Sequence, residues 1–161
     1  MKVLIDTCIA IDFLQKREPF AEDALRIFRA AASELFAGYI TAKSATDIYY
    51  IDHRGTHDKA ASCKKLRSLL TIVGLADSAA IDVFQALSSD LSDFEDAVMV
   101  ETAKRIGADC IVTRNIKDYM KSNISAYTPA EFFGTANFFR KRLFGITEPE
   151  QPLKAAYESR L

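Results

Sequence analysis

The sequence predicts an α/β protein, a three-layer α/β/α sandwich around a central parallel sheet of about five strands. Two observations predict it. Short apolar runs rich in β-branched residues recur along the chain, such as Val3-Leu4-Ile5, Tyr39-Ile40-Thr41 and Cys110-Ile111-Val112, the signature of strands buried on both faces. Segments with apolar residues at helical spacing separate them, and strands alternating with helices imply a parallel sheet covered on both sides.

The elements follow in order. The first strand, residues 2–5, stops at Asp6-Thr7, after which Ile9, Ala10, Phe13 and Leu14 recur at helical spacing. Pro19 interrupts, and residues 21–36 read as a long amphipathic helix ended by Gly38. Residues 39–41 form the second strand. The next helix takes Ser44-x-x-Asp47 as its cap, carries Ile48, Tyr49 and Ile51 as its apolar side, and ends at Gly55. Residues 57–70 make another, with Lys59, Lys64, Lys65 and Arg67 on its polar side. Residues 71–75 are a weak third strand and 78–87 a further helix. Ser92-x-x-Glu95 reads as a capping box for a helix that closes at Lys104-Arg105-Ile106-Gly107, basic residues and a glycine being common helix stops. Residues 110–113 and 126–128 are the fourth and fifth strands; Pro129 opens a short helix to Phe133, and Gly134 closes the compact part. This gives a domain over residues 1–134 and a C-terminal helical or extended tail over 135–161, with a basic-aromatic piece around Phe138, Phe139 and Phe144.

Composition narrows the function. A chain of 161 residues, 49% hydrophobic and 27% charged, is one ordinary globular domain. A net charge of −1 sets up no global positive field. The N-terminal apolar run is too short for a signal peptide and no 18-residue apolar stretch occurs, so a cytoplasmic protein without membrane contact is expected. Cys8, Cys63 and Cys110 are odd in number and far apart, which indicates neither a disulfide framework nor a zinc site. His53 and His57, separated by Gly55, are expected in a solvated loop.

Ligands of open parallel sheets bind outside the carboxyl ends of the strands, and that rule gathers scattered acids into one candidate site. Asp6 ends the first strand, Asp47 lies one turn into the helix after the second, Asp96 begins the helix feeding the fourth, and Asn115 and Asp118 follow the fourth. Carboxylates so gathered repel one another, and Mg²⁺ or Mn²⁺ is the usual remedy because both prefer oxygen ligands. Asp93 and Glu95 complement the helix dipole beside Asp96. Lys43, Arg114 and Lys117 flank the acids, within reach of substrate phosphates.

In this order and spacing, Val3-Leu4-Ile5-Asp6-Thr7, Ser44-Ala45-Thr46-Asp47, Asp93-Phe94-Glu95-Asp96-Ala97, Thr113-Arg114-Asn115-x-x-Asp118 and Thr128-Pro129-x-Glu131-Phe132 resemble the PIN-domain metal-dependent nucleases, which include the VapC-type toxins of toxin–antitoxin pairs. The resemblance implies metal-binding acids at Asp6, Asp47 and Asp96. Its fourth position, often Asp, is Asn115 here, with Asp118 the nearest substitute. It implies a metal-dependent endoribonuclease acting on single-stranded RNA, with DNA as the alternative the sequence does not separate from it, and an antitoxin as the expected protein partner. Thr7 and Thr113 are supporting hydroxyls, and Asp118 is expected to carry the missing charge. A homodimer is expected, through Phe132, Phe133, Phe138, Phe139 and Phe144. The alternative is a catalytically silent PIN domain serving as an RNA- or protein-binding module.

Overall fold

A computed structural model describes residues 1–134; the tail, with Phe138, Phe139 and Phe144, lies outside the described residues. Five parallel strands form one sheet in the order β3-β2-β1-β4-β5: β1 (Lys2–Ile5), β2 (Ala37–Thr41), β3 (Gly74–Ala76), β4 (Cys110–Val112) and β5 (Ala126–Tyr127). The central pair is β1 with β4, in register Val3↔Cys110, Leu4↔Ile111 and Ile5↔Val112. Side chains alternate across a strand, and the core divides accordingly. Val3, Ile5, Cys110 and Val112 pack on one face with α1 (Thr7–Gln15), α2 (Ala21–Ala32) and α7 (Pro129–Gly134), around Ile9, Ile27, Phe28 and Phe132. Leu4 and Ile111 pack on the other against Met99, Val100 and Ala103 of α6 (Phe94–Ile106). α3 (Ala42–Thr56) and α4 (Lys59–Leu69) extend the first layer, and α5 (Ala80–Ala86) lies against α6.

Several boundaries differ from expectation. α2 ends at Ala32, because the chain turns through Glu34 at φ 56° and sends Phe36 into the core; Gly38 belongs to β2. β3 begins only at Gly74, since the N–H groups of Ile72 and Val73 bond back to Leu69 and prolong the end of α4. Gly74 is required where it stands: a Cβ there would come within 2.6 Å of the Tyr39 ring. Gly55 does not stop α3. The helix runs one residue further and closes on His57 in the left-handed region, so His53 is helical and stacks on Tyr49 rather than lying in a loop. The cap of α6 is Asp93, not Ser92, with its carboxylate accepting from the N–H groups of Glu95 and Asp96. Phe132 is fully buried and packs edge-on against Phe36, which removes it from any dimer surface.

Candidate active site

The strand order reverses direction on either side of β1, and the carboxyl ends of β1 and β4 lie side by side there, the switch point where open sheets bind ligands. Asp6 is the first residue past β1. Its backbone is extended and its carboxylate caps α1, accepting from the N–H of Cys8 at 3.3 Å. Thr113, just past β4, donates to Asp6 Oδ2 at 2.6 Å. The Cys8 thiol donates to the same oxygen at 3.3 Å; burial, then the Asp6 charge, push that thiol up to about 11, so it stays a neutral donor. Asp6 is 7% exposed, and its hydrogen-bond donors among the described residues are all neutral.

α3 opens beside it. Thr41, rather than Ser44, is the cap, accepting from the Ser44 N–H at 2.9 Å. Ser44 is buried and joins Thr41 (2.8 Å) to Thr7 (2.9 Å) in a chain of hydroxyls. This fixes the first turn of α3 so that Lys43 and Asp47, four apart, share its outer side. Lys43 Nζ lies 2.7 Å from Asp47 Oδ2 and 2.7 Å from Glu95 Oε2, bridging α3 to α6. Burial disfavours the lysine's charge, but its bonds to the two carboxylates outweigh that and raise its pKa.

Asp96 stands in the first turn of α6, half-buried, and its Oδ1 accepts from the Tyr119 hydroxyl at 2.8 Å. Burial, together with the charges of Asp6, Asp93 and Asp118, pushes the Asp96 carboxyl up to about 6 against the opposing bond from Tyr119. A cleft of about 310 Å³ contains Asp6, Thr7, Lys43, Asp47, Glu95 and Asp96 on its polar side. Its other side is apolar: Tyr50 and Ile51 from α3, Val98 and Met99 from α6.

The structure thus brings Asp6, Asp47 and Asp96 to one cleft, with Lys43 and Glu95 beside them, while Asp93 caps the helix behind. Other expected residues are placed elsewhere. Asn115 is exposed and bonds to Thr113 through its own backbone N–H. Asp118, half-buried in the 3₁₀ turn Ile116–Tyr119, touches Asp96 by charge only and does not line the cleft; Lys117 is exposed. Arg114 turns towards the buried Asp12, with Nε 3.1 Å from Asp12 Oδ2 and its guanidinium 4.3 Å from the Phe20 ring. Two contributors escaped the sequence reading: Tyr119 carries no spacing signal, but Asp12 could have been noticed as a lone acid between Ile11 and Phe13. Ser44, expected as a cap, instead links the hydroxyls of Thr41 and Thr7.

The donor set suits a hard divalent cation. Asp6 and Asp96 are oxygen donors close enough for the charge of one to raise the pKa of the other, and no Lys or Arg among the described residues pairs with either. Asp6 and Asp96 would hold the ion. Asp47 joins them only if Lys43 lets go, and as they stand no three such side chains among the described residues cluster tightly enough to hold one.

The raised Asp96 pKa predicts a pH dependence. The folded state binds this proton more tightly than the unfolded chain does, so its stabilising contribution is present below about pH 4 and is lost as pH rises to about 6. In chelator, the protein is expected to be stabler at the low end of that window by about 1–2 kcal/mol from this group. Asp96→Asn should remove that part of the slope. Denaturant titrations of both proteins across the window check it, and parallel slopes would refute the assignment.

A family model described as "PIN domain" matches residues 2–117. No curated protein matches the chain. Among solved structures it is similar to VapBC2 from Rickettsia felis bound to a DNA fragment from its promoter, at 18% identity and TM-score 0.62, covering 80% of this chain and 98% of that one. A toxin–antitoxin complex from Klebsiella pneumoniae is similar at 18% identity and TM-score 0.61, with 79% and 97% covered. VapC20 from Mycobacterium tuberculosis, described as a Sarcin-Ricin loop cleaving toxin, is similar at 17% identity and TM-score 0.54, with 68% and 86% covered. At such identities the likeness is one of fold.

Proposed function

The chain belongs to the PIN domain family, and from that premise we propose that it is a Mg²⁺- or Mn²⁺-dependent endoribonuclease that hydrolyses phosphodiester bonds in single-stranded RNA, as the toxin of a toxin–antitoxin pair. The observation that carries the reading is the pairing of Asp6 and Asp96 at the switch point, two acids in electrostatic contact with no cationic side chain among the described residues paired to either.

A divalent ion bound there supplies Lewis-acid activation of water and neutralises charge on the phosphate. The chain's own residues do the rest. Thr113 and Cys8 hold Asp6 in one orientation by donating to it. Lys43, the cation of the cleft, can exchange its exposed Glu95 partner for a substrate phosphate. Tyr50, 64% exposed on the apolar side, offers a face on which an unpaired base can stack. No helix among the described residues is long and apolar enough to cross a membrane. A homodimer and an antitoxin contact form part of the proposal, and the exposed Ile81, Phe84 and Leu87 beside and within α5 supply an apolar surface for either.

Asn115, exposed where the family pattern often has an acid, is the one observation favouring a silent binding module. A single experiment separates the readings: the full chain is incubated with end-labelled single-stranded RNA, and with DNA of the same sequence, in Mn²⁺ and then in chelator. Internal cleavage of RNA that chelator abolishes is expected. Binding of RNA without cleavage in Mn²⁺ establishes the module instead.

A further inference from the structure

We propose that Tyr119 is a positioning residue of the active site, its hydroxyl fixing the Asp96 carboxylate where a fourth acid is missing. The inference rests on the reading of the cleft as a divalent-metal centre. Neither polar residue expected to complete the acids does so: Asn115 is exposed, and Asp118 stays off the cleft wall. What the 3₁₀ turn after β4 delivers is Tyr119. It is 3% exposed and packs among Leu4, Met99, Val100, Ala103 and Ile111. Its O–H points at Asp96 Oδ1 at 2.8 Å and also lies 3.3 Å from Met99 Sδ.

A buried hydroxyl must find a partner, and this one has found the acid that opens α6. Its single proton is directed at Asp96 Oδ1, so towards this carboxylate the phenol is the donor. The bond engages Oδ1, while no hydrogen bond among the described residues engages Oδ2. Asp96 is thereby oriented with one oxygen committed to the protein and one left for a cation. A neutral phenol also does this without adding charge. A fourth carboxylate at the same place would add to the repulsion already acting on Asp96 from Asp6, Asp93 and Asp118. Groups that hold a ligating carboxylate act on metal affinity nearly as strongly as the ligands themselves.

Calorimetric titration of Mn²⁺ into the full chain tests this, in wild type, Tyr119→Phe, Asp118→Asn, Asp96→Asn and the Asp96→Asn/Tyr119→Phe double variant, each with its melting temperature. Phenylalanine keeps the ring in its core and removes only the hydroxyl. Tyr119→Phe is expected to bind Mn²⁺ about 10-fold or more weakly while still melting cooperatively, and Asp118→Asn to lose less. Because Tyr119 acts through Asp96, the double variant is expected to bind no more weakly than Asp96→Asn alone. Wild-type affinity in Tyr119→Phe, or a further additive loss in the double variant, overturns the proposal. Wild type that binds no Mn²⁺ refutes the metal-centre reading itself, and this inference with it.

Discussion

Asp6→Asn is expected to abolish Mn²⁺-dependent RNA cleavage and leave the fold intact. The loss should exceed about 100-fold, the upper end of what removing a group that merely supports a ligand costs, because Asp6 is itself the most enclosed acid of the cleft. Stability should scarcely change. Asparagine caps helices about as well as aspartate: its amide oxygen can still accept from the Cys8 N–H, its NH2 can donate to a Thr113 hydroxyl rotated to accept, and loss of the charge relieves Asp96. The net effect should lie within about 1 kcal/mol in either direction. Cleavage assays beside thermal melts in chelator check both halves. An active Asp6→Asn protein would remove Asp6 from the chemistry.

Arg114→Ala should have the largest effect on stability, about 3–5 kcal/mol, the usual cost of leaving one partner of a buried ion pair alone. Asp12 is 0% exposed, and neither of its oxygens has a hydrogen bond among the described residues. Arg114 Nε is 3.1 Å away yet misaligned, so the contact is Coulombic. Burial raises the Asp12 pKa, and the charges of Arg114 and Arg17 hold it down. Without Arg114 the carboxyl should take up a proton. The destabilisation is therefore expected to grow as pH rises, since keeping that proton becomes costlier. Combining Arg114→Met with Asp12→Leu should restore most of the loss, because an apolar pair can replace a buried ionic one. Urea denaturation at two pH values measures both effects. Unchanged stability in Arg114→Ala would mean that Asp12 is stabilised in some other way.

Much of the fold was legible because β1 and β4 are continuous apolar runs that only a doubly covered sheet can bury. The ends of α6 were legible to within one residue. Ser92 and Asp93 are equally good caps by type, and only the backbone direction, which puts the Asp93 carboxylate over the Glu95 and Asp96 N–H groups, chooses between them. β3 was misplaced because Ile72 and Val73 are apolar whether they end a helix or begin a strand. The acids Asp6, Asp47 and Asp96 could be read towards one rim because strand polarity dictates where strand ends meet. The segment after β4 could not. Within six residues the chain turns Arg114 towards Asp12, leaves Asn115 and Lys117 outside and buries Tyr119, and no periodicity encodes the rotation of a single 3₁₀ turn.

The lysine between Asp47 and Glu95 gives the cleft a resting state of its own. A bare ring of acids would gather stray cations from its surroundings and strain its own walls; here a tethered ammonium screens two of them. Both pairs are partly exposed, and contacts of that kind contribute at most about 1 kcal/mol each, so the screen is easily displaced. A phosphate would compete with the two carboxylates for Lys43, and a divalent ion would compete with Lys43 for the carboxylates. The cleft is thus built like a socket with a shutter, closed by a weakly held ammonium that a stronger charge can displace.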